Sequence, residues 1–76
     1  MSEARGLYTF TKPGGHRAEI REFDLPQIKG LEFVMFIDGS PLISELFQSD
    51  RVTEYAEALS RRVAYLTEMG WIPELN

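Results

Sequence analysis

Apolar positions follow two rhythms along this chain, one of period two up to residue 47 and one of period three to four after it. Residues 7–12 are rich in aromatic and β-branched side chains, with Tyr8 and Phe10 on one side, and predict a first strand. Pro13-Gly14-Gly15 is a turn, because proline presets one torsion and glycine supplies a positive one without steric penalty. Residues 16–23 alternate Ala18 and Ile20 against Arg17, Glu19 and Arg21, which predicts a second strand antiparallel to the first. Phe23 falls on the polar parity, so a bulge or strand end is expected near Glu22. Residues 25–30 break the alternation and predict a loop, with Leu25 and Ile28 tucked under a sheet edge. Residues 31–37 set Leu31, Phe33, Met35 and Ile37 on one face and Glu32, Val34 and Phe36 on the other. Apolar groups on both faces predict a central strand covered on both sides. Asp38-Gly39 is a hairpin signature, and residues 42–47 then predict a fourth strand at an edge.

From residue 49 the period changes. Val52, Ala56, Leu59, Val63 and Leu66 recur at steps of four and three, the spacing of one helical stripe, widened by Tyr55 and Met69. Ser49 or Asp50 is placed to cap the start. Gly70 is placed to end the helix in the left-handed region, and Pro73 prevents its resuming. Trp71, Ile72 and Leu75 follow as an apolar tail. The order β-β-β-β-α predicts a two-layer α+β domain: an antiparallel four-stranded sheet with one C-terminal helix packed on one face. It spans residues 1–76 as a single domain, with 1–6 and 74–76 expected to be flexible.

One helix covers one sheet face. With Ala18, Ile20, Phe33, Met35 and Ile37 beneath it, Val34 and Phe36 remain on the opposite face, with Tyr8, Phe10 and Trp71 as expected neighbours. Exposed apolar patches above a few hundred Å2 mark interaction sites. Three coverings are open: the tail around Trp71 folds back over the face, two copies pack as a homodimer, or another protein binds there.

Composition narrows the chemistry. The 76 residues are 43% hydrophobic and 26% charged, the balance of a folded domain. There is no cysteine, hence no disulfide and no thiol chemistry. Met1-Ser2-Glu3-Ala4-Arg5-Gly6 carries no apolar signal region, and no apolar run is long enough to span a membrane, so a cytoplasmic location is expected. Net charge is −4 and unevenly spread: residues 1–30 carry five basic and four acidic groups, residues 31–76 three and eight. Glu45, Asp50, Glu54 and Glu57 give the second half an acidic surface suited to a basic partner surface. That balance works against nucleic acid, whose affinity rests on phosphate neutralisation.

No catalytic motif emerges. His16, the sole histidine, lies beside a turn without a neighbouring acid or nucleophile in sequence. One histidine with scattered carboxylates does not make a zinc site, Asp38-Gly39-Ser40 lacks the later acids of a calcium loop, and no phosphate-binding motif is present. No catalytic, cofactor-binding or metal residue is therefore expected, nor a small-molecule substrate. The reading is a small acidic non-catalytic module that binds another protein or itself through Tyr8, Phe10, Val34, Phe36 and Trp71. In size and charge alone it is like phage or mobile-element inhibitors of host complexes, anti-CRISPR proteins among them. The alternative is a nucleic-acid binder using Lys12, Arg17 and Arg21 with the sheet aromatics.

Overall fold

The alternating half of the chain folds as a meander of β1 (Ala4–Lys12), β2 (His16–Leu25), β3 (Gly30–Ile37) and β4 (Ser40–Gln48), each antiparallel to the next. A computed structural model, which describes residues 4–74, adds the helix α1 (Val52–Glu68) and a fifth, two-residue strand β5 (Ile72–Pro73). The sheet order is β4-β3-β2-β1-β5, with α1 across one face. The expected four-stranded sheet therefore gains one short strand. The β3–β4 turn holds Asp38 at φ 50° and Gly39 at φ 84°. Two positive torsions in a two-residue loop match the right-handed twist of the flanking strands.

Each strand runs longer than its sequence signal, since ladder hydrogen bonds extend past the apolar core. Residues 4–6, expected to be loose, pair with β2. Glu74 donates its N–H to the Thr9 carbonyl at 2.8 Å. Residues 1–3 and 75–76, the rest of the expected flexible ends, lie outside the described residues, and Leu75 with them. No bulge falls near Glu22. The ladder instead skips Leu7 in β1 and Leu42 in β4. Phe23 keeps the parity of Arg21 and belongs to the face away from the helix. Residues 26–28 form one turn of 3-10 helix, and Ile28 is exposed rather than tucked away.

The core lies between helix and sheet. Phe10, Ala18, Ile20, Phe33 and Met35 meet Tyr55, Ala58 and Leu66 there, with Leu59, Val63 and Trp71 packed at its margin. The helix is rotated from its sequence stripe. Val52 is 61% exposed, Ala56 and Met69 are exposed, and Ala58 is buried. Tyr55 sets that rotation. Its ring meets Phe33 and Phe47 edge-on, at centroid distances of 5.8 and 5.7 Å, and its hydroxyl donates to Glu22 at 2.6 Å. A large ring with a polar tip has few ways to satisfy both ends.

The helix starts at Val52 behind Arg51, with no side-chain cap. Neither Ser49 nor Asp50 caps it, because both precede the N-cap position that Arg51 holds, and the Ser49 N–H is bound to the Lys29 carbonyl at 2.7 Å, finishing the sheet. At the other end Gly70 has φ 92°. Its N–H reaches the Thr67 carbonyl, and that of Trp71 reaches Leu66, at 3.1 and 3.0 Å. These paired bonds close the helix and turn Trp71 back toward the core. The next two residues then add to the β1 edge as β5. The tail does not cover the open sheet face.

Leu66→Ala is expected to cost about 2–5 kcal/mol, as a buried leucine does, whereas Val52→Ala should stay within about 0.5 kcal/mol. Urea unfolding of both variants checks the rotation, and equal losses would contradict it.

Candidate interaction surface on the open sheet face

Four strands build the open face, β1 contributing Gly6, Thr9 and Thr11 beside β2. Arg17, Glu19, Arg21 and Phe23 come from β2, Glu32, Val34 and Phe36 from β3, and Pro41, Leu42, Ser44 and Leu46 from β4. Its centre is covered without a second layer. The Arg21 guanidinium lies 5.3 Å from the Phe36 ring centroid and pairs with Glu19 at 3.0 Å, while Arg17 reaches Glu19 at 3.5 Å. Arginine stems lie on apolar surface while their heads stay in water. Val34 is left only 8% exposed and Phe36 half-buried.

The β4 margin is different. Leu42 is 64% exposed and Leu46 55%. Leu46 and Ile28, itself 60% exposed, close over Gly30. A Cβ at that glycine would lie 3.2 Å from Leu46 Cδ1 and 3.3 Å from Ile28 Cγ1. Pro41, Leu42, Leu46 and Ile28 therefore form an apolar strip along the outermost strand. Among the described residues nothing pairs with the outer side of β4. Natural edges are blunted by charge, proline or bulges. Here Pro41 and the extra residue Leu42 blunt one end only. The single charged residue of β4, Glu45, sits on the helix side and binds Arg62 at 3.0 Å.

The residues singled out from sequence are divided by the sheet. Val34 and Phe36 are on the open face. Phe10 is in the core, stacked on Tyr8 at 6.3 Å, and Trp71 lies on the helix side under the Lys12 ammonium at 5.4 Å. Tyr8 instead walls a groove of about 630 Å3 between the β1 edge and α1, with Leu7, Val63, Thr67 and Pro73. The acidic group also separates. Glu45 is bound to Arg62 and Glu54 lies 3.6 Å from Arg51, while Asp50 and Glu57 are exposed. The cations proposed for nucleic acid are split too, with Lys12 on Trp71 and Arg17 and Arg21 tied to Glu19 on the other face. Leu42, Leu46 and Ile28 were missed. The available signal was that Leu42 and Leu46 hold the parity opposite to Ile43 and Phe47, so the edge strand is apolar on both faces.

Two polar clusters lie elsewhere. Glu22 accepts from Tyr55 and binds Arg5 at 2.9 Å, so the carboxylate under the helix is paired on two sides. Burial, and then the Glu22 hydrogen bond, hold the Tyr55 phenol well above the usual tyrosine range. At the far end of the sheet Asp38 joins both turns. It accepts the Arg17 backbone N–H at 2.9 Å and lies 2.8 Å from His16 Nδ1. That backbone bond, then the His16 bond, lower the Asp38 pKa below its ordinary 3.8. The ionised carboxylate can only accept, so Nδ1 carries the proton. The pair is solvent-exposed and clamps two hairpins. Among the described residues no group of three or more His, Cys, Asp or Glu is placed to hold a metal ion, and no helix is long and apolar enough to cross a membrane. Comparison with protein-family models, with curated proteins and with solved structures finds no match.

A carboxylate whose folded pKa is depressed contributes stability above its ordinary value, and loses it as pH falls through the folded one. The contribution of Asp38 should therefore be full at pH 5 and decline below about 4. Asp38→Asn tolerates the left-handed torsion but lacks this charge. Its urea midpoint should fall less than that of the wild type between pH 5 and pH 2. Parallel declines would contradict the clamp.

Proposed function

We propose that this chain is a non-catalytic protein-interaction module that receives its partner along the β4 margin of the open sheet face. The observation that carries this reading is the pairing of two features on one strand: an unpaired backbone edge and two leucines more than half exposed on its outer face. An extended partner segment can add to such an edge. Main-chain hydrogen bonds then supply affinity, and alternate side chains supply selectivity. Leu42 and Leu46 are the anchors. Val34, already buried, and Phe36, half-buried under the Arg21 guanidinium, are the floor beside them. Fully burying a leucine contributes about 1.5–3 kcal/mol, so two partly exposed ones are worth more than a factor of ten in affinity. The acidic balance of residues 31–76 steers the module toward a basic surface and away from phosphate backbones. A module of this kind acts by occupying a surface that its partner uses for something else, the mode of a small inhibitor of a host complex.

Selection of a random-peptide phage library on the immobilised protein tests the reading. The counter-target is the Leu42→Lys, Leu46→Lys double variant, with its thermal melt checked to confirm that it folds. Enriched peptides should lose at least about tenfold in affinity on the variant, the equivalent of about 1.4 kcal/mol. Peptides that bind both proteins equally would place the binding surface elsewhere.

A further inference from the structure

We infer that the β4 edge pairs with the β4 edge of a second copy, antiparallel and about a two-fold axis through Ser44. This inference rests on the interaction reading above and names its partner. A two-fold interface must be complementary to itself, residue for residue, and residues 42–46 meet that condition. Ser44 is small, exposed and central. Leu42 and Leu46 stand two positions to either side on the same face. Antiparallel pairing on Ser44 therefore sets Leu42 of each copy opposite Leu46 of the other, where facing side chains are closest. Four half-exposed leucines become one apolar row across the seam, with Val34 of each copy behind it.

Charge agrees with the same register. With the axis on Ser44, Glu45 faces Ile43 on the helix side, and its carboxylate is already held by Arg62 at 3.0 Å. Moving the axis one residue either way sets a leucine opposite Ser44 and leaves the other without a leucine partner. Moving it onto Glu45 also sets two carboxylates face to face, which is destabilising in a strand pair. The two β3–β4 hairpins then form the middle of a continuous ten-stranded sheet, with both helices on the same side. The blunted start of β4, at Pro41 and Leu42, lies at the ends of the shared ladder, where its missing N–H and its extra residue interrupt least.

The native sequence has no cysteine, so an introduced thiol reports one position only. Directly opposed Cα atoms in an antiparallel pair are about 4.5–5.5 Å apart, within the range a disulfide can bridge. Under mild oxidation Ser44→Cys should cross-link to itself. Leu42→Cys alone and Leu46→Cys alone should not, whereas a mixture of those two should yield the mixed dimer. In parallel, light scattering after gel filtration over a micromolar-to-millimolar series should give twice the 8.7 kDa chain mass. The Leu42→Lys, Leu46→Lys variant should remain at the single mass. A wild type at the single mass throughout overturns the inference. So does a dimer in which Leu42→Cys cross-links alone as fast as Ser44→Cys. A single-mass chain that still enriches strip-dependent phage peptides overturns the self-pairing alone and leaves the interaction reading in place.

Discussion

One helix can cover only one face of a sheet, and this chain has one helix. Its 17 residues span about 25 Å, enough to cross the sheet once. The apolar centre of the helix-facing side is thereby buried, and the opposite face must be made compatible with water by other means. The solution is local to β2 and β3. Arg21 lies over Phe36, and Glu19 holds both Arg21 and Arg17. A surface built this way needs no second layer, because long charged side chains carry enough hydrocarbon to shield their neighbours. The shield ends where the arginines end. β4 contributes no long cation to this face, and there the leucines stand exposed.

The Tyr55 contacts determine which residues the helix presents. Two edge-on aromatic neighbours and a hydrogen bond to Glu22 hold that ring in one orientation. Ala58 is drawn inward as a result, while Val52 and Ala56 turn out to solvent. Glu22 and Glu45 lie on the helix side of the sheet, where a lone carboxylate is costly. Each is matched, Glu22 by Arg5 and Tyr55, Glu45 by Arg62. The polar groups between the layers thus help to set the register of helix on sheet, beyond what a purely apolar stripe would specify. The paired bonds beyond Gly70 extend the same order, since they aim Trp71 at the core and leave β5 against β1.

The exposed β4 margin follows from these choices. A meander ordered β4-β3-β2-β1-β5 has two edges, and the short β5 protects part of only one. The other is long, carries one charge on its helix side, and is apolar on its outer face. The occupant proposed above, an extended strand with apolar residues at alternate positions, would meet both the backbone groups and the side chains of β4.

Local patterns are legible in the order of residues alone. Alternation marks four strands, Asp38-Gly39 marks the hairpin, and Gly70 marks the helix end, because each depends on torsions and neighbours within a few residues. The two-layer class follows from element order. Which residues meet across the layers is not legible in this way. Tyr8, Phe10 and Trp71 share aromatic character with Phe36, yet the sheet lies between them, since Tyr8 and Phe10 pair with Ile20 and Ala18 on the helix side and the bonds beyond Gly70 turn Trp71 to that side as well. The joining of His16 to Asp38 across 22 residues, and the rotation of α1 about Tyr55, are likewise decided only in three dimensions. So is the exposure of Leu42 and Leu46. Burial on an edge strand depends on whether a neighbour reaches over it, and no periodicity within the strand records that.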